Sequence, residues 1–210
     1  MKLDTRSTPL TEAEYLAIER AAPAKSEFHG GEMFAMAGGS PMHSLIAANL
    51  IALLHRALSG SGCLTFTSDL RVKVDMTGLY TYPDVSVACG ELCFADAERD
   101  TLLNPTLLVE VLSDATEGYD RGEKFEQYRR IASLRGYLLV SQRKPVIELF
   151  VREADGRWSL REAAGTEASL EIPPLQITLA LAEVFANVAF PQTAAPHGTA
   201  AGMDLPPPRS

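Results

Sequence analysis

A chain of 210 residues with 46% hydrophobic and 22% charged side chains has ordinary globular composition and enough length for one domain with a substantial core. Its formal net charge of −8 argues against indiscriminate binding of polyanions, whose affinity comes from counterion release by basic groups. The longest uncharged apolar stretch, around Leu45 to Leu54, falls well short of the ~20 residues that span a bilayer. The segment Met1-Lys2-Leu3-Asp4-Thr5-Arg6 lacks the apolar core of a signal peptide, so a cytoplasmic location is expected.

In chain order, Thr11-Glu12-Ala13-Glu14 has capping-box spacing and predicts a short helix that ends before Pro23. Residues 26–29 and 32–36 flank Gly30-Gly31 and read as a hairpin. Ser40 as N-cap and Pro41 at the first helical position open a helix running to about Ser59 and closed by Gly60. Leu45, Ala48, Leu50, Ile51 and Leu54 recur along it at helical spacing, which makes it a core helix. Strands are predicted at 63–74, with a break near Ser68-Asp69, and at 82–88 and 106–112. A polar helix over 119–132 and strands at 137–140 and 146–151 follow. The core order is therefore αβββαβ, an α/β fold of α+β character with a mixed sheet. An amphipathic helix over 178–186 closes the folded part, so residues 1–190 read as a single domain. The Pro-, Ala- and Gly-rich residues 191–210 have no periodicity and read as a disordered tail.

Cys63, Cys89 and Cys93 lack the paired spacing of a zinc site and are expected to be small buried hydrophobes in a reducing compartment. Arg121, Lys124, Arg129, Arg130, Arg135, Arg143 and Lys144 concentrate the basic charge in one stretch, which a solvated helix face would explain.

The chemistry centres on Glu110, an ionisable carboxylate inside the apolar run Leu107-Leu108-Val109-Glu110-Val111-Leu112. A carboxylate in such a strand needs a hydrogen-bonded cation or a metal, because burying it alone costs several kcal/mol. Asp84 stands in a similar setting upstream, in Pro83-Asp84-Val85-Ser86-Val87-Ala88. Side chains two apart on a strand share a face, so Asp84 and Glu110 converge on one cation if their strands are neighbours in register. Magnesium suits such a pair, since it uses one or two carboxylates, keeps several waters and takes the rest of its octahedron from a phosphate. Asp120-x3-Lys124-x3-Tyr128 places three polar groups on one stripe of the helix after the Glu110 strand. Lys124 is the candidate cation near a scissile phosphate. Each residue also has an ordinary structural explanation: Asp84 as a strand-entry residue, Glu110 as half of a buried ion pair, Lys124 as a solvated helix lysine.

Pro83-Asp84, Glu110-Val111-Leu112 and Lys124 together resemble the PD-(D/E)XK nuclease superfamily, in the form where the lysine has moved from the strand to the following helix. More narrowly, residues 10–185 resemble the Uma-two family, classed as bacterial endonucleases. The matching pieces are Glu27-Phe28-His29-Gly30-Gly31-Glu32, His43, Ser68-Asp69-Leu70-Arg71-Val72, Tyr82-Pro83-Asp84-Val85, the 105–113 segment, Asp120-x3-Lys124-x3-Tyr128 and Tyr137-Leu138-Leu139-Val140. The resemblance implies a restriction endonuclease-like fold whose αβββαβ core carries an added N-terminal helix and hairpin and extra C-terminal strands and helix. It further implies a metal-dependent endonuclease hydrolysing DNA phosphodiesters, with Mg2+, or Mn2+ as substitute, held by Asp84 and Glu110, and with Lys124 as catalytic cation. His43 and Tyr128 are auxiliary candidates. Leu112 stands where the strict pattern has its lysine, so Lys124 must reach over the strand end. Cutting both strands of a duplex at once takes a second catalytic unit, and a homodimer is expected. The alternatives are a catalytically silent or regulatory nucleic-acid-binding relative, and a protein that acts on another phosphoester or only self-associates. No G-x-S-x-G, Walker A or G-x-G-x-x-G segment occurs.

Overall fold

The computed structural model describes residues 8–36 and 38–190, and the tail expected at 191–210 lies outside the described residues. Helix α1, Glu12–Ala21, opens on the expected capping box: the Glu14 N–H donates to the Thr11 hydroxyl, and the Thr11 N–H donates to the Glu14 carboxylate. Strands β1, Ser26–His29, and β2, Glu32–Ala35, form the hairpin, with Gly30 and Gly31 at φ of 60° and 85°. A two-residue turn with both φ values positive matches the twist of the strands it joins. Helix α2, Pro41–Ala57, starts where Ser40 accepts from the His43 N–H.

Three strands come next in the expected order: β3, Cys63–Thr67; β6, Val85–Cys89; and β8, Leu107–Leu112. Between them lie β4, Arg71–Val74, β5, Leu79–Thr81, and the two-residue β7, Thr101–Leu102, the last two not foreseen. The break at Ser68-Asp69 is where the chain changes sheets. β3, β6 and β8 join β9, Gly136–Ser141, β10, Val146–Arg152, and β11, Trp158–Ala164, in a six-stranded sheet of order β11-β10-β9-β8-β6-β3. The other strands form a five-stranded sheet of order β2-β1-β5-β4-β7. In the larger sheet only β8 and β9 run parallel, and a helix makes the crossover that parallel neighbours require. The mixed sheet and the αβββαβ order are as expected.

The crossover helix runs from α3, Glu117–Tyr119, through a π-helical turn, Asp120–Lys124, into α4, Phe125–Tyr128. It begins earlier and ends sooner than the 119–132 expected, and the turn that holds Asp120 and Lys124 is wider than an α-turn. Such π-turns recur at functional positions.

The central strands β6, β8 and β9 of the six-stranded sheet are buried on both faces. Ile46, Leu50, Leu53 and Leu54 of α2 pack on Val85, Val87, Leu107, Val109, Val111, Leu138 and Val140. The opposite face, with Ala88, Leu108, Leu112, Tyr137 and Leu139, is covered by Phe125, Tyr128, Ile131 and Leu134 and by Val72, Val74, Leu79 and Leu102. Two-sided burial explains why β8 reads as an unbroken apolar run around Glu110.

Two expectations are corrected here. The helix expected at 178–186 is shorter than that: β12, Ser169–Ile172, pairs with β13, Ile177–Ala180, which takes the first three of those residues into a strand, and only α5, Leu181–Val184, is helical. Leu179 and Leu181 are both buried, and so short an apolar run fits either period. Cys63 and Cys89, expected as reduced hydrophobes, form a disulfide with S–S 2.01 Å, while Cys93 is free and exposed. The β3–β6 register sets Cys63 directly opposite Cys89, and no spacing rule reveals a register. Reducing this bond releases a loop of 26 residues, which chain entropy values at about 2–4 kcal/mol. The melting temperature should therefore drop when a phosphine reductant is added to the parent protein, and should not respond in a Cys63→Ser/Cys89→Ser variant. Among the described residues no helix is long and apolar enough to cross a membrane.

Candidate active site

Strand pairing sets Asp84 and Glu110 side by side on neighbouring strands. In the antiparallel β6–β8 ladder Val85 faces Val109, so one further step sets Asp84 against Glu110. Asp84 ends its approach to β6 with its carboxylate turned to the neighbouring strand, where Oδ2 accepts from the Val111 N–H at 2.7 Å. The same oxygen lies 3.0 Å from Nε2 of His43, in the first turn of α2. Hydrogen bonding to Asp84 raises the His43 pKa above its ordinary value against the opposing effect of burial. His43 therefore reaches Asp84 from the first turn of α2.

Glu110 shares its strand face with Leu108 and Leu112 and points beneath the crossover helix. Its Oε1 lies 2.9 Å from Lys124 Nζ and accepts from the Tyr128 hydroxyl at 2.9 Å. The Asp120-x3-Lys124-x3-Tyr128 stripe is thus the buried face of the helix, and the reading of Lys124 as a solvated lysine is corrected: all three side chains are buried. Period alone tells which residues share a face and not which face turns inward.

Two further carboxylates surround the ammonium. Glu27 Oε1 stands 3.2 Å and Asp120 Oδ1 3.6 Å from Lys124 Nζ. Glu27 comes from β1 of the smaller sheet. There Phe28 faces the cluster of Tyr15 and Tyr80, so by alternation Glu27 faces the opposite way, towards Lys124. Thr81 likewise alternates with Tyr80 and donates its hydroxyl to Glu27. The smaller sheet's part in the site is to deliver these two residues. In the sequence Glu27 stands only inside a matching segment, with no role assigned by its spacing. Its alternation with Phe28 in the hairpin was the signal available.

Burial raises the Glu110 pKa to about 8; the Lys124 charge opposes the rise, and the charges of Asp84 and Asp120 reinforce it. Asp120 is raised too, first by burial, with Asp84 and Glu27 adding repulsion. Burial works against the Lys124 ammonium, yet the carboxylates around it, Glu110 foremost, hold its pKa well above the ordinary lysine range. The site therefore carries more acid than its one lysine offsets. Among the described residues no three His, Cys, Asp or Glu side chains are gathered closely enough to hold an ion by themselves. The all-oxygen pair Asp84 and Glu110 instead fits a hard dication that retains waters.

A mixed sheet flanked by α2 and the crossover helix, with an acidic pair at the β6–β8 junction and a helix lysine above it, defines a restriction endonuclease-like nuclease fold. A crystal structure from Anabaena variabilis described as "a putative nuclease" shares this fold, with a TM-score of 0.69 at 15% identity over 84% of this chain and 98% of that one. The chain belongs to the Uma2 family, described as "Putative restriction endonuclease", whose pattern matches residues 12–182. It is also similar to two uncharacterized proteins of Synechocystis sp. It is 36% identical to slr1290, over 86% of this chain and 94% of that relative, and 38% identical to sll1609, over 80% and 95%.

Proposed function

We propose that this protein is a magnesium-dependent endonuclease that hydrolyses DNA phosphodiesters, with Mn2+ able to substitute. The observation that carries this reading is the register-matched pair Asp84 and Glu110 with Lys124 Nζ 2.9 Å from Glu110, since it supplies a metal-binding edge and a cation in one place. A bound Mg2+ supplies Lewis acidity at the phosphoryl oxygen and lowers the pKa of a water. Asp84 and Glu110 hold the ion. His43 fixes the Asp84 carboxylate and Tyr128 fixes that of Glu110. Lys124 offsets charge developing on the phosphate and orients the attacking water, and Glu27 and Asp120 keep its ammonium in place. A homodimer would bring two such sites to one duplex. The test is conversion of supercoiled plasmid to nicked or linear DNA. Magnesium and manganese should support it and EDTA should stop it; an inert protein in both metals would contradict the proposal.

The ion should also show itself in a pH profile. Because the folded-state pKa of Glu110 lies above its ordinary 4.5, its proton stabilises the metal-free fold fully below pH 4.5, and that contribution is lost as pH rises through about 8. Magnesium must displace the same proton. The rise in melting temperature on adding magnesium should therefore be small at acidic pH, grow towards pH about 8 and level off above it. A magnesium effect independent of pH would count against Glu110 as a ligand.

A further inference from the structure

Five of the six tyrosines are buried, and Tyr119 alone is exposed, at 37%. It is also the one aromatic among the large apolar side chains exposed in the described residues. Its position is not a random surface one. Lys124 Nζ lies 5.9 Å from the ring centres of both Tyr119 and Tyr128, so the ammonium is flanked by a fully buried ring and an open one. Tyr119 thus forms the solvent-side wall beside the candidate catalytic cation. Its hydroxyl has no hydrogen-bond partner among the described residues.

The charge around this wall does not favour a phosphate backbone. Glu27, Glu110 and Asp120 ring the Lys124 ammonium, and Arg121 and Arg143 are already paired, with Glu117 and Glu148 and with Asp114. A chain of net charge −8 needs a contact with nucleic acid that does not depend on counterion release. Stacking on an aromatic face is such a contact, available to every base through its π-surface.

We propose that Tyr119 stacks on an unpaired base next to the scissile phosphate, so that the preferred substrate presents a single-stranded or extruded nucleotide at the cut. The inference rests on the nuclease reading of the site. It is a substrate contact, separate from the metal ligands and from Lys124.

Binding of fluorescein-labelled oligothymidylate, followed by anisotropy with calcium in place of magnesium, tests it in the full-length protein. Tyr119→Phe should bind like the parent, and Tyr119→Leu should bind about tenfold more weakly, since stacking on one base is commonly worth this much or more. Binding of a fully paired duplex should change little. Iodouracil in the strand should photo-crosslink to Tyr119. Equal affinity of the Leu variant and the parent, failure of the parent to bind the oligonucleotide, or a crosslink that maps elsewhere would overturn the proposal. Asp84→Asn separates the two readings, because it should lose cleavage and keep the Tyr119-dependent binding. A parent protein that binds through Tyr119 but never cleaves would remove the nuclease reading alone.

Discussion

Lys124→Ala is expected to lose plasmid cleavage by on the order of a hundredfold or more, the scale set by removing one preorganised charge from a phosphoryl-transfer site. A solvated helix lysine would leave stability untouched, but Lys124 is buried among Glu110, Glu27 and Asp120. Deleting it strands those carboxylates, and breaking a buried ion pair from one side costs about 3–5 kcal/mol. That deficit has a sign in pH. Glu110 and Asp120 already sit above their ordinary range and rise further without the lysine. The variant's loss of stability should therefore be largest at alkaline pH and shrink as pH falls and these groups take up protons. Thermal melts across pH follow the stability, and cleavage is measured below the variant's melting temperature, so that the two effects are read apart. Cleavage at the parent rate by folded Lys124→Ala would remove the lysine from the chemistry.

Asp84→Asn should abolish cleavage with far less damage to the fold. Asparagine keeps an oxygen that accepts from the Val111 N–H, so the β6–β8 contact survives, while the charge that attracts an ion is gone. The expected loss in rate is on the order of a hundredfold or more, because a missing ligand charge removes the ion's contribution as a whole. His43 loses the partner that raises its pKa, and its titration, followed by NMR, should move down towards the ordinary histidine value. An Asp84→Asn protein that cleaves normally would show that the acidic pair is structural.

Much of this site was legible in the chain because strand period and burial work on short distances. Glu110 in an apolar run could only be a partnered carboxylate, and Asp84 after a proline stood at the entry to a strand of the same kind. Their adjacency depended on register, which the sequence leaves open and the β6–β8 ladder supplies. The i, i+4 stripe of Asp120, Lys124 and Tyr128 was visible, but whether it faced water or sheet was decided by packing of Phe125 and Tyr128 on Tyr137 and Leu139. Glu27 was hidden because it arrives from a different sheet, through a contact between residues far apart in the chain. The Cys63–Cys89 bond was hidden for the same reason as the carboxylate pairing, since opposing positions on two strands carry no local signal. The closing helix was expected too long for a different reason: over residues 177–185 the apolar positions satisfy two periods, and pairing with β12 drew Ile177–Ala180 into a strand while Leu181–Val184 stayed helical.

The most direct measurement of the central claim is a calorimetric titration of magnesium into the parent protein and into Asp84→Asn at pH about 8, where Glu110 gives up its proton. Saturable binding in the parent, lost or greatly weakened in the folded variant, is the expected result. Equal binding by both proteins, or none by the parent, would contradict the assignment of Asp84 and Glu110 as the metal site.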